Sequence, residues 1–241
     1  MQHLLRKQII SIVLLLITHL SVNAQKNEVF RPDYDEMRTH IGAYLGMGIN
    51  NLNFERSSTF GIPQTDNPSE ISSPNNIHVN LGLTSSLRFT NHLLLRSGVL
   101  LQLNNKAINY KLQGTNANME INSIIATIPL VLKIQSDRYN SFGYKSMMRH
   151  YIFGGGSASF DRSVQIKNAP ISAGTPIYLK NTNLGYEYGF GVSFFLRYVT
   201  VSPEIKFSYG LTNINKNDAP LLVQINKINS NLINFSIYIE N

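Results

Sequence analysis

Four histidines, His40, His78, His92 and His150, lie beyond the first 24 residues and are the side chains best suited to general acid–base work. A histidine becomes catalytic only when a hydroxyl or carboxylate sits within its reach. His40, His92 and His150 map to one end of the molecule and His78 to an interior face, so no His–Ser or His–Asp set converges on an outer rim. The chain has no cysteine, and no two histidines stand at ligand spacing, so no metal centre is expected. The run Gly154 to Gly156 opens no helix and reads as a close-packing or bulge site, not a phosphate loop. No catalytic, cofactor or metal residues are expected, and no small-molecule substrate.

The remaining chemistry is charge placed inside hydrophobic segments. In "NLGYEYGFGVSFFLRYVTVSPEIKFSYG", residues 183–210, Glu187, Arg197, Glu204 and Lys206 interrupt an aromatic-rich hairpin. The segment alternates with a period of two, the signature of a strand with two unlike faces. Tyr186, Tyr188, Phe190, Val192 and Phe194 oppose Glu187, Gly189, Gly191 and Ser193; Val199, Val201, Ile205, Phe207 and Tyr209 oppose Ser202, Glu204, Lys206, Ser208 and Gly210.

The same rhythm recurs from residue 40 onward. Ile41, Ala43, Leu45, Met47 and Ile49 oppose Gly42, Tyr44, Gly46 and Gly48, and Ile77, Val79, Leu81, Leu83 and Leu87 oppose His78, Asn80, Gly82, Thr84 and Ser86. Further strands run through Leu93 to Leu103, Ile128 to Ile134 and Phe235 to Ile239, and "RHYIFGGGSASF" sets Tyr151 and Phe153 on one side of a shorter arm. That makes eight strands. The connections, at 50–76, 90–92, 105–122, 135–148, 161–182, 198 and 212–229, are long on one side and mostly short on the other. The pattern predicts an all-β fold: an eight-stranded antiparallel up-and-down transmembrane β-barrel over residues 40–241, with Pro129 and Pro203 marking bulges.

A soluble barrel turns its apolar face inward and carries charge outside, but here the polar set is lean in charge and rich in Gly and Ser. Aromatic residues Tyr186, Tyr188, Phe194, Phe195, Tyr198, Phe207 and Tyr209 gather near strand ends, as interfacial girdles do. The apolar set therefore faces lipid. A Lys or Arg on that face would cost about 2–4 kcal/mol at the midplane, so Arg88, Arg96, Lys133, Glu187, Glu204, Lys206 and Glu240 are expected to point inward as a lumen charge network. An eight-stranded barrel is just wide enough for side chains to fill it, so such a network reads as a plug.

At the N-terminus, Arg6 and Lys7 precede the apolar run Ile9 to Ile17, and Val22-Asn23-Ala24 follows. This is a secretory signal peptide over residues 1–24, too short in its apolar core for the ~20 residues of a membrane anchor. Residues 25–39 then form a periplasmic segment whose Asp33, Asp35, Glu36 and Arg38 are candidates for contact with a periplasmic component. Removing Arg6 and Lys7 lowers the formal charge from +7 to +5. The remaining basic residues are scattered, so no nucleic-acid partner is indicated; the expected surroundings are outer-membrane lipid.

The stretches "RPDYDEMRTHIGAYLGMGINNLNF", "IPLVLKIQSDRYNSF" and "LKNTNLGYEYGFGVSFFLRYVTVSPEIKFSYGL" resemble the PorT (SprT) family, outer-membrane barrels of the type IX secretion system of gliding and related Bacteroidetes. The likeness spans nearly the whole mature chain and is most specific at "GYEYGFG" and "SPEIKFS". It departs from the family at Thr127-Ile128, at Arg149-His150-Tyr151 and through "SFGYKSMM". The resemblance implies an integral, non-enzymatic outer-membrane barrel that supports secretion of cargo with C-terminal sorting domains, with other type IX components as partners. Without it, the residues fit equally a stand-alone barrel for adhesion or envelope stability.

Overall fold

The computed structural model describes residues 29–57, 68–112, 115–142, 144–167, 180–215 and 225–241. The expected signal peptide lies outside them. Strands β1 (Thr39–Arg56), β2 (Pro68–Ser72), β3 (Asn76–Arg88), β4 (Leu93–Leu112), β5 (Thr115–Gln135), β6 (Tyr139–Ser141), β7 (Tyr144–Lys167), β8 (Thr182–Phe195), β9 (Thr200–Gly210) and β10 (Ile225–Glu240) follow a single 3-10 turn at Pro32–Asp35. Eight of them pair antiparallel in chain order, and the ring is completed where β1 meets β10. Short β2 extends the sheet beside β4, and β6 folds back on β7. Closure leaves no sheet edge to hydrocarbon, the condition for a β-structure to cross a membrane.

The apolar set faces out. Leu45, Leu83, Leu130, Ile152, Phe190 and Phe235 are exposed, while Arg96, Lys133, Glu187, Glu204 and Lys206 are buried in the lumen. A crossing strand needs about 9–11 residues, yet β4, β5 and β7 have 20, 21 and 24. The expected loop at 105–122 is therefore strand wherever it is described, and β7 runs into the expected loop at 161–182 as far as Lys167.

Above the membrane the two faces exchange character. Along β4, outward Val99, Leu101 and Leu103 give way to outward Asn105 and Asn109, while the inward set changes from Gln102 and Asn104 to Ile108. β1 does the same, from outward Met47 and Ile49 to inward Leu52, and β10 from outward Ile233 to inward Ile228. Leu52, Ile71, Ile108, Met119, Ile121, Ile225 and Ile228 are all buried, an apolar set at the end away from the N-terminal segment. In water the strands obey the ordinary rule, and in lipid its inverse.

Three local expectations are corrected. Tyr151 and Phe153 point into the lumen, and Ile152 between them faces lipid; the glycines paired with them, Gly191 and Gly189, leave room that a β-carbon would fill, at 2.5 and 2.6 Å from the rings. Phe195 is fully buried rather than part of an outer girdle, whereas Tyr186, Tyr188, Phe207 and Tyr209 do stack on the outer surface. Pro129 and Pro203 sit in unbroken register with β7 and β10, and so does the Gly154 to Gly156 run with β5 and β8, so none of them is a bulge.

Each proline interrupts the ladder on one side only, where its missing N–H would have donated. The pairing of β5 with β4 skips Pro129, and that of β9 with β8 skips Pro203. Side chains bridge both gaps: Ser97 donates to the Pro129 carbonyl at 2.8 Å, and Ser202 to Ser193 at 2.8 Å.

The face exchange sets the outer membrane boundary near Asn50, Asn104 and Ser230. Leu81→Arg, outward in the bilayer, should cost about 2–4 kcal/mol, and Asn53→Arg, outward above the boundary, within about 0.5 kcal/mol, in urea unfolding from phospholipid vesicles. Equal losses at both positions would contradict that boundary.

Candidate functional site

The lumen is filled by stacked layers of paired polar side chains. Arg96 from β4 meets Glu204 from β9 at 2.7 Å, with side chains 3% and 0% exposed. Tyr151 donates to the same Glu204 oxygen at 3.1 Å. The Arg96 guanidinium lies 4.1 Å from the Tyr238 ring and 5.0 Å from that of Phe153, and Lys133 caps the Tyr151 ring at 3.8 Å. Aromatic faces thus serve as counter-surfaces for cations that have few acids available.

Toward the outside, Lys206 meets Glu187 at 3.5 Å. Asn234 Oδ1 accepts from Asn80 at 2.7 Å and contacts His78 Nε2 at 2.5 Å. Higher still, Asn50 bonds Asn104, and Lys106 pairs with Asp161. Between the layers are cavities of about 40 Å³, one beside Glu187 and Lys206 and one beside Lys106 and Asp161. Such spaces suit a water molecule, not a substrate. Among the described residues, no three His, Asp or Glu side chains gather as a metal-ligand set.

At the end where β1 begins the chain stoppers itself. Tyr34, in the 3-10 turn, is 3% exposed and inserts into the mouth, stacked on His40 at 3.9 Å and edge-on to Phe195 at 5.2 Å. Its hydroxyl donates to Glu240 at 3.1 Å, and Ser86 donates to the other Glu240 oxygen at 3.2 Å. Burial pushes the Tyr34 hydroxyl well above its ordinary pKa, and the Glu240 carboxylate adds to the shift.

Asp35 is held by three arginines: Arg138 at 2.6 Å, Arg149 at 3.0 Å and Arg88 at 3.3 Å. Arg88, expected among the lumen acids, instead serves this clasp and caps the Tyr34 carbonyl at 2.9 Å. Asp35 is turned onto its own barrel, leaving Asp33, Glu36 and Arg38 as the exposed charges among the segment's described residues.

The sequence reading missed Tyr34, Arg138, Arg149, Lys106 and Asp161 as members of these clusters. For Arg149 a signal existed: it shares parity with Tyr151 and Phe153, opposite His150 and Ile152. Lys106 and Asp161 lay in stretches read as loops.

A closed ring with an apolar exterior at membrane height and a charge-filled interior is the geometry of a small outer-membrane barrel, and residues 23–216 match the model of the outer membrane protein beta-barrel domain family. The chain belongs to that family. Membership places it in the outer membrane, against lipid. No curated protein matches the chain in sequence.

Among solved structures, Neisserial surface protein A is 11% identical, with 84% of this chain and 97% of that one covered, at a TM-score of 0.47. OprG of Pseudomonas aeruginosa is 12% identical over 84% and 92%, at 0.48, and Ail of Yersinia pestis 9% over 85% and 100%, at 0.36. These likenesses are faint and say nothing of this chain's activity.

For an outer membrane beta-barrel with so dry an ion pair, removing one partner is expensive because the other is left buried and unneutralised. Glu204→Leu should lose about 3–5 kcal/mol, and the double variant Arg96→Met/Glu204→Leu should recover most of it. Urea midpoints of the two variants in vesicles decide this; a double variant no better than the single one would remove the pair from the account.

Proposed function

We propose that this outer membrane beta-barrel is a non-enzymatic accessory of type IX secretion, supporting export of cargo with C-terminal sorting domains, and acting through its surfaces. The observation that carries the reading is the filled lumen. Ion-pair layers occupy the bilayer height, an apolar core closes the outside, and Tyr34 stoppers the periplasmic mouth. Such a barrel offers no conduit for a folded or unfolded protein, so a part in secretion is played beside the conduit. The PorT resemblance at "GYEYGFG" and "SPEIKFS" supplies the system.

In this reading residues 1–24 are removed, residues 25–39 face the periplasm, and the lumen charges Arg96, Lys133, Glu187, Glu204, Lys206 and Glu240 hold the barrel's shape. Deleting the gene should leave sorting-domain cargo in the periplasm, detected by fractionation and immunoblot, with export restored by the intact gene. Normal cargo export in the deletion strain would sink the proposal and leave a stand-alone envelope barrel. N-terminal sequencing of protein from the outer membrane should begin at Gln25; a start at Met1 would refute cleavage.

A further inference from the structure

The segment from Phe30 to Glu36 occupies the periplasmic mouth as a peptide occupies a receptor. Two arginines hold its main chain: Arg138 donates to the carbonyls of Phe30 and Arg31 at 3.0 and 3.1 Å, and Arg88 to those of Tyr34 and Asp35. One slot, formed by His40, Phe195 and Glu240, takes the Tyr34 ring and hydroxyl. One clasp takes the Asp35 carboxylate. Main-chain capture plus one aromatic pocket and one anion pocket is how peptide-binding domains read short motifs.

The receptor side is built on the rigid ring, with contributions from β1, β3, β7, β8, β10 and the β5–β6 connection. The ligand side runs into that ring through Met37 and Arg38, and the Arg31 guanidinium donates to the Glu240 carbonyl at 3.1 Å.

The resident segment also fits imperfectly. Three guanidinium groups share one carboxylate, and the Nε–H groups of Arg88 and Arg149 are buried without a hydrogen-bond partner among the described residues. Arg31, just before the turn, is left-handed, with φ 51° and ψ 62°, a region that residues other than Gly, Asn and Asp rarely adopt. A carboxylate pairs best with one guanidinium in a two-bond fork, so this clasp has capacity for a second anion. The Asp35 side chain, 32% exposed, leaves that side open to the periplasm.

We propose that the mouth is a recognition site for an acidic segment of another periplasmic protein, in which an aromatic residue is followed by a carboxylate, and that Tyr34-Asp35 is the occupant that such a segment displaces. A lipid or free phosphate could use the arginines, but it would leave the aromatic slot and the carbonyl-capturing donors unused. The four carbonyl contacts favour a peptide. This inference stands apart from the type IX reading, since it concerns what the mouth binds and not which process the barrel serves.

The test uses the full-length mature barrel in detergent micelles and a fluorescent, N-acetylated peptide copying residues 30–38, followed by anisotropy. Tyr34→Ala/Asp35→Ala empties the site and should bind the peptide saturably and at least about tenfold more tightly than the wild type, whose site is filled from within. Peptides carrying Tyr34→Ala or Asp35→Asn should lose about tenfold or more in affinity, and adding Arg149→Gln to the emptied barrel should weaken the parent peptide similarly. If the emptied variant fails the heat-shift assay for a closed barrel, Asp35→Asn alone keeps the ring in place and should give the same ranking with a smaller contrast. A closed barrel that ignores the peptide, or binds the Asp35→Asn peptide equally well, overturns the proposal. So does displacement of the peptide by inorganic phosphate or by phosphatidylglycerol vesicles at concentrations that phosphatidylcholine vesicles do not match, which would assign the arginines to a headgroup.

Discussion

Hydrocarbon around a closed eight-stranded ring leaves a charge only one direction in which to point, and the rest of the structure depends on that constraint. Main-chain groups must find partners within the ring, so the ladders run the length of the strands except at the two prolines, and the first strand meets the last. The outward positions are then mostly apolar, and the charged side chains described at bilayer height are driven into a lumen too narrow to hydrate them. Arg96 with Glu204, Lys206 with Glu187 and Lys133 over Tyr151 are three solutions to one problem. Two are ion pairs, and the third uses a ring face, with no carboxylate of the described residues within pairing distance. The same constraint explains how prolines are tolerated: each turns its missing donor toward a single neighbour, where a serine hydroxyl spans the gap.

Within the bilayer the sequence was easy to read because lipid imposes a single rule on every strand. Alternation identified the closed antiparallel barrel and the inward set on β3, β4, β8 and β9. It failed where a second solvent takes over. Past Asn50 or Asn104 the apolar residue moves to the opposite parity, so the period survives but its phase flips. A reader following one phase sees the pattern end and infers a loop.

Leu52, Ile108 and Ile121 therefore went unrecognised as a core, and Lys106 and Asp161 with them. Tyr151 and Phe153 failed for a different reason. Their place in the lumen depends on Gly191 and Gly189 across the β7–β8 pair, a complementarity of volume between strands that no single strand displays. The Asp35 clasp was invisible in a third way, because its arginines come from three separate stretches of chain and meet only after the ring closes.

The two ends of the barrel are sealed by unlike means, and the difference locates where it can respond to anything. At the opposite end the buried apolar side chains belong to the strands themselves, and shortening any of them would open a cavity. At the end where β1 begins the closure is a short segment held by arginine donors, one ring and one carboxylate, through polar contacts and the stacking of Tyr34 on His40. Polar contacts of that kind can be exchanged for equivalent ones from another chain at little net change, because the same arginine donors meet carbonyl and carboxylate acceptors before and after. Packed apolar contacts offer no such substitution unless the replacement has the same shape. The lumen between them is rigidified by buried pairs that cannot separate without stranding a charge. The exchangeable contacts thus gather at the rim where the chain's own N-terminal segment is seated.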